Sequence, residues 1–316
     1  MTTASPHGRL IVGFLAAFTA LTASACSSAT APGDSSTNAT PAKPIKGVEF
    51  DRKIADMMPK SIKGSKVLKM VVFQNTPYTI IDDKGNIQGL STDLAAAVGT
   101  VLGVKVQQTQ VAGVADAKVA VQSGRYDIGF GPFLPSAESL KTMNIVETLA
   151  TSKSLLYKKG GTKVDGLTDF CGKTLTIASG SVPAQTAIDN FNHKVCPEAG
   201  LKPVVAKGMP EQSSQIVAVQ SGRAFGANIT DSAAAYYAQS HPDFSYYVLK
   251  DGDPQLFPPS VCGNIILKRN DELTKTWAAV MAKLYDSGAS ERLFKKWGAA
   301  PELIKPKVMT EAPSVG

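Results

Sequence analysis

Apolar positions along this chain follow two spacings, one of strands and one of helices, and the two alternate twice over. Val67-Leu68-Lys69-Met70-Val71-Val72-Phe73 is a short, nearly continuous apolar run, which predicts a buried strand. Asn75-Thr76-Pro77-Tyr78 follows as a loop, and Asp82-Asp83-Lys84-Gly85-Asn86 carries hairpin turn chemistry. Ser91 is placed to cap a helix that runs from Asp93 to Leu102 and stops at Gly103. Strands are predicted over 104–107 and 127–130, with a helix over 115–122 between them. A connecting strand is predicted over 154–157. The order then restarts with a strand at Thr174–Ala178, the loop Ser179-Gly180-Ser181, and a helix over 184–191. A strand over 203–206, a helix over 212–220 and strands over 225–229, 244–249 and 261–267 complete it. Leu273, Trp277, Val280, Met281 and Leu284, then Leu293, Phe294 and Trp297, form one helical stripe that reads as core.

The hexapeptide Ala-Val-Gln-Ser-Gly-Arg occurs at 120–125 and again at 218–223. Each copy closes a helical pattern, stops it at glycine and runs into a strand. One unit used twice predicts two similarly built α/β lobes. Ligands of open α/β sheets sit beyond the carboxyl ends of the strands, so two facing lobes enclose a cleft.

The first 45 residues follow a different pattern. Arg9 precedes an apolar run from Leu10 to Leu21, long enough for the core of an export signal and too short to span a membrane. The run ends in Leu21-Thr22-Ala23-Ser24-Ala25-Cys26, which resembles a bacterial lipoprotein cleavage site. That resemblance implies a lipoprotein signal over 1–26 that is cleaved before Cys26, leaving Cys26 as the first mature residue with a lipid on its sulfur; an ordinary secretory signal is the other reading. Residues 27–45 are almost wholly small, polar or proline, and form a tether with a reach of roughly 20–25 Å. The expected location is extracytoplasmic, at the cell membrane.

Composition narrows the function classes. Apolar residues at 43% and charged residues at 19% describe a globular chain. The formal net charge of +7 is scattered, without the basic stripe and interleaved aromatics of a nucleic-acid-binding surface. His7, His193 and His241 are isolated and no Cys-x-x-Cys spacing occurs, so neither a metal site nor a cofactor is expected. With Cys26 lipidated, Cys171 and Cys196 lie beside turns 25 residues apart and are the expected disulfide, worth about 3 kcal/mol, leaving Cys262 as a buried free thiol. The stretch 166–174 has nucleotide-loop residues, but its glycines are one residue too far apart and it precedes a strand rather than a helix.

Taken in order, Gly85-Asn86-Ile87-Gln88-Gly89-Leu90-Ser91-Thr92-Asp93-Leu94, Ser123-Gly124-Arg125-Tyr126-Asp127, Leu167-Thr168-Asp169-Phe170-Cys171-Gly172-Lys173 and the closing 270–298 pattern resemble the extracellular solute-binding proteins of polar amino-acid ABC importers. The resemblance implies a two-lobed type II periplasmic-binding-protein fold with two hinge strands, crossing near Leu155 and returning near Cys262. Lobe 1 would comprise 46–155 and 262–316, and lobe 2 would comprise 156–261. It implies a monomer that closes on a small solute, delivers it to an ABC permease and its ATPase subunit, and performs no catalysis. The alternatives are a cleft enzyme of dehydratase or hydrolase type, for which Glu138 is the available carboxylate, and a ligand-sensing domain.

The resemblance also implies site residues. Asp231 would pair with a ligand ammonium, or cap the helix that follows it. Gly180 and Ser181 would receive an anionic or carbonyl group. Asn75, Tyr78, Phe133 and Ser139 complete the expected ligand set, Tyr78 and Phe133 as aromatic walls, with a core role as the competing reading of Tyr78. Where amino-acid binders of the family carry a threonine and a carboxylate-clamping arginine, this chain has Leu134 and Ser139, and the stacking aromatic aligns with Val114. Serine cannot replace a bidentate guanidinium, so an amine, cationic or other polar solute is expected ahead of an ordinary amino acid. Lys141 is the residue in reach by sequence that could restore carboxylate binding.

Overall fold

The computed structural model describes residues 45–309, Thr162 excepted. The export signal, Cys26 and the tether up to residue 44 lie outside the described residues. Among the described residues there are thirteen strands: β1 (Val67–Phe73), β2 (Ile80–Ile81), β3 (Ile87–Gln88), β4 (Lys105–Val111), β5 (Ile128–Phe133), β6 (Met143–Thr151), β7 (Lys153–Lys158), β8 (Thr174–Ala178), β9 (Val205–Met209), β10 (Gly226–Thr230), β11 (Phe244–Val248), β12 (Ser260–Leu267) and β13 (Leu303–Met309). They form a six-stranded sheet ordered β13-β6-β12-β5-β1-β4, a five-stranded sheet ordered β11-β7-β10-β8-β9, and the β2-β3 hairpin.

The two large sheets repeat one plan. β1 lies between β4 and β5, parallel to both, as β8 lies between β9 and β10. An antiparallel strand follows in each, β12 on β5 and β7 on β10. The two hexapeptide copies occupy equivalent places. They end the helices Val114–Gln122 and Gln212–Gln220, turn at Gly124 (φ 75°) and Gly222 (φ 73°), and enter β5 and β10.

Helices cover both faces, which is why β1 is apolar almost throughout rather than alternating. Successive residues still divide between two cores. Leu68, Met70 and Val72 pack with the helix Leu90–Leu102 and with Trp277, whereas Val71 and Phe73 pack with Ala117, Val121 and Phe133. Both tryptophans are anchored by their indole N–H: Trp277 donates to Asn264 Oδ1 at 3.0 Å and Trp297 to Asp93 Oδ2 at 2.7 Å. In the second sheet Leu155 and Leu156 part in the same way, one packing with Phe170 and Phe191 and the other with Ile216 and Phe244.

Ser152 alone separates β6 in one sheet from β7 in the other, so the chain changes sheet three residues before Leu155. It returns between β11 and β12, through the helical turn Leu249–Gly252 and Pro258-Pro259. β6 and β13 have no counterpart among the predicted strands. Asn144, Glu147, Thr148 and Thr151 interrupt β6 with polar side chains that are buried between neighbouring strands, and this hides its apolar pattern.

The helix Leu90–Leu102 begins at Gly89, not at a Ser91 cap. Gly89 has φ 111°, and a Cβ there would lie 2.7 Å from the Tyr78 carbonyl oxygen, so the close approach of the Pro77-Tyr78 backbone requires glycine. Ser91 is fully buried and its hydroxyl accepts from Thr79 Oγ1 at 3.1 Å. Cys171 and Cys196 form the expected disulfide, with Cα atoms 5.6 Å apart. Cys262 is a buried free thiol, and burial pushes its pKa up to about 12.

Candidate functional site

A cavity of about 180 Å³ lies between the two sheets, at the carboxyl ends of their parallel strands. From the six-stranded side Phe73, Asn75, Val114, Leu134 and Ser136 reach it. From the five-stranded side come Lys153, Gly180, Ser181, Gln212, Gln215 and Asn228. Two contacts hold the sides together beside it. The Thr76 backbone N–H donates to Gln212 Oε1 at 2.9 Å, a bond in which both residues are buried. A Cβ on Gly113 would lie 3.1 Å from the Pro210 carbonyl oxygen, so the loops that open the two hexapeptide-bearing helices also meet.

The expected ligand residues divide. Asn75, Gly180 and Ser181 line the cavity. Ser181 also caps the helix Val182–Asn190, its hydroxyl accepting from the Ala184 N–H at 3.4 Å. Tyr78, Phe133, Ser139 and Asp231 are not on the wall. Tyr78 is 1% exposed within the first core, because Leu90 and Ser91 donate to the Pro77 and Tyr78 carbonyls and turn the ring inward. Phe133 follows the strand alternation of β5. Gly129, Gly131 and Phe133 share one face, where the Phe133 ring meets Phe73 edge-on at 5.5 Å, and Pro132 and Leu134 are left to the cavity. Gly131 (φ 157°) is required there, since a Cβ would lie 2.8 Å from the Phe73 ring. Ser139 is bound up locally: its Oγ accepts from Ser136 N at 3.0 Å and donates to the Ser136 carbonyl at 3.1 Å. Ser136 takes its place on the wall.

Asp231 belongs to the crossover. Its Oδ1 accepts from Thr151 Oγ1 at 3.2 Å and from Ser152 N at 3.3 Å, and its own N–H donates to the Ser152 carbonyl. Thr230, not Asp231, caps the helix Asp231–Ser240, accepting from Ala233 N at 3.3 Å. Glu302 reaches the same point from the C-terminal segment. Its Oε1 accepts from Ser232 N at 3.3 Å and lies 3.3 Å from Thr151 Oγ1, whose one proton it shares with Asp231, and burial raises its pKa to about 8.

Sequence reasoning missed Lys153, Gln212, Gln215 and Asn228. Lys153 is the first residue of β7 and pairs with Thr230 of β10, while Asn228 pairs with Leu155. Lys153 and Asn228 are therefore diagonal neighbours on one face of the sheet. The signal for Lys153 was a single charge set between two apolar strands. Gln212, Gln215 and Asn228 carry no such mark, since only the packing of their helix and strand aims them inward. Burial lowers the Lys153 pKa, and the nearby Cys262 and Asp231 oppose that shift. Of the three departures from the family pattern, Val114 and Leu134 line the cavity and Ser139 does not; Lys141 is exposed and stays off the wall.

Comparison with known proteins fits this geometry. The model of the bacterial extracellular solute-binding proteins, family 3, matches residues 68–300. The arginine-binding extracellular protein ArtP of Bacillus subtilis (strain 168) is 24% identical over 231 residues, covering 72% of this chain and 86% of the relative. The arginine-binding protein ArgT of Corynebacterium glutamicum is 23% identical over 237 residues, covering 75% of each. Among solved structures, the substrate-binding protein of an amino acid ABC transporter superposes with a TM-score of 0.61 at 20% identity, covering 73% of this chain and 98% of that one. An ancestral amino-acid-binding protein, a precursor of cyclohexadienyl dehydratase, gives 0.61 at 22% identity, over 75% of this chain and 97% of that one. The matched region takes in both sheets except β13, and the cavity between them, and the chain belongs to the bacterial extracellular solute-binding proteins of family 3, with the type II periplasmic-binding-protein fold.

Proposed function

We propose that this protein is a membrane-tethered receptor that closes its two lobes around a small polar solute of amine, cationic or amino-acid type and presents it to an ABC permease. The observation that carries this reading is the interlobe cavity, walled from both sheets and bridged by the Thr76–Gln212 hydrogen bond. A ligand that touches both walls binds the closed form better than the open one, so it shifts the population toward closure. The permease then reads a shape, and no bond in the solute has to break. Glu138, the carboxylate an enzymatic reading would use, is exposed and away from the cavity wall. The curated relatives named above are arginine-binding proteins, which supports an amino-acid-like solute. The lipid on Cys26, the tether and a monomeric state are part of the proposal.

Small-angle scattering of the soluble domain, with isothermal titration against an amino-acid and amine panel, tests it. At least one solute is expected to bind and to reduce the radius of gyration. A panel in which no solute changes the scattering profile overturns the reading.

A further inference from the structure

Resting on the solute-binding reading, we infer that the cavity takes solutes carrying a carboxylate, and that the Lys153 ammonium and the Asn228 carboxamide hold that group from the five-stranded lobe. Several observations converge. Lys153 lines the cavity, and no hydrogen bond or ion pair engages its ammonium among the described residues. Asn228, its diagonal neighbour in the β7–β10 register, is 2% exposed, and both its Nδ2 and Oδ1 are without partners. Gln215, also 2% exposed and on the wall, has an unpartnered Oε1. Buried polar atoms without partners are costly, so three such atoms on one wall define a place where a ligand supplies the missing bonds.

Their chemistry selects the group. A lysine offers three donors and no acceptor, and the Asn228 Nδ2 offers two more donors. A carboxylate accepts from both and favours the ammonium that burial disfavours, whereas a cationic head group would disfavour it further. The case for an amine rested on a free Asp231, but that carboxylate faces Thr151 and Ser152 at the crossover. Asn228 Oδ1 and Gln215 Oε1 are acceptors and suit an N–H or O–H elsewhere on the same solute. Glu211, the carboxylate on the wall, is exposed at its edge and leaves the depth of the cavity to Lys153. The carboxylate site is thus on the opposite lobe from Leu134 and Ser139, which stand where the family's clamp residues align.

The test uses matched pairs on the soluble domain: L-arginine with agmatine, L-glutamine with its α-amide, and succinate with succinamide. Titration is expected to show the carboxylate member of at least one pair binding roughly ten- to a hundredfold tighter than its partner. Lys153→Met is expected to abolish that preference, and Lys153→Arg to retain most of it, each checked for folding by circular dichroism. Equal binding of both members of every pair that binds, or tighter binding of the uncharged or decarboxylated member, overturns the inference and leaves solute binding standing. That comparison needs no variant, so it decides the matter even if Lys153→Met does not fold. If no member of any pair binds and none alters the scattering profile, the solute-binding reading and this inference both fall.

Discussion

Glu302 is buried where three segments meet: the end of β6, the crossover, and the first turn of the helix Asp231–Ser240. Its pKa of about 8 follows from burial, with the Ser232 N–H only partly offsetting the lost hydration. The folded protein therefore holds a proton that the unfolded chain releases near the ordinary value of 4.5. Stability contributed by this group is complete below about pH 4.5, falls as pH rises toward 8, and is level above that. The slope approaches about 1.4 kcal/mol per pH unit within the window. Denaturant melts between pH 5 and 8 are expected to show this fall, and Glu302→Gln is expected to flatten it; an unchanged slope in the variant would place the titration elsewhere. Tyr78, Phe133, Ser139 and Asp231 show the limit of reading at this scale. Each has suitable chemistry and stands next to the cavity in sequence. Which way a side chain points depends on strand parity and on local hydrogen bonds, and these turned all four away.

At the scale of elements the apolar spacing was a good guide wherever a segment is buried against helices. β1 and β8 and the helix Gln212–Gln220 fall where the pattern placed them. The pattern failed at β6, where buried polar side chains break the run, and at β13, an edge strand whose positions are mostly half-buried or exposed. The disulfide is an element-scale staple. It ties the turn after Leu167–Phe170 to the end of the helical segment that continues Val182–Asn190 through Phe191–Val195. Closing a loop of this length restricts the unfolded chain, worth about 3 kcal/mol. Replacement of both Cys171 and Cys196 by serine is expected to lower the thermal midpoint by several degrees while leaving solute affinity within about twofold, because neither cysteine lines the cavity. A large loss of affinity with an unchanged midpoint would contradict this.

For the whole molecule, the proposed closure around a solute makes the contacts between the lobes the place to look for its balance. Thr76 and Gln212 sit on different lobes, and their bond exists only when the lobes are close. Gln212→Ala removes the acceptor and leaves the buried Thr76 N–H without that partner unless the lobes part. The variant is expected to have a larger radius of gyration without solute and roughly fivefold weaker binding, with little change in thermal stability. Compaction equal to that of the parent protein would show that the bond does not bias closure. At the other end of the lever, Asp231 and Glu302 fasten Thr151 and Ser152, so bending is expected to pivot on a crossover held by side-chain hydrogen bonds rather than on a loose loop.

The sequence alone determined that two α/β units of one design are joined in this chain, since the repeated hexapeptide and the apolar spacing act locally and survive any arrangement of neighbours. It also determined the disulfide partners and the positions where the family's clamp is missing. Tertiary structure decided which side chains face the cavity. Lys153 on β7, Gln212 and Gln215 on one helix, and Asn228 on β10 lie on three segments of the chain, and only the sheet register and the packing of that helix against the sheet bring them to one wall. The physical reason is that local propensity depends on near neighbours, whereas a binding site depends on directions set by packing across the whole fold.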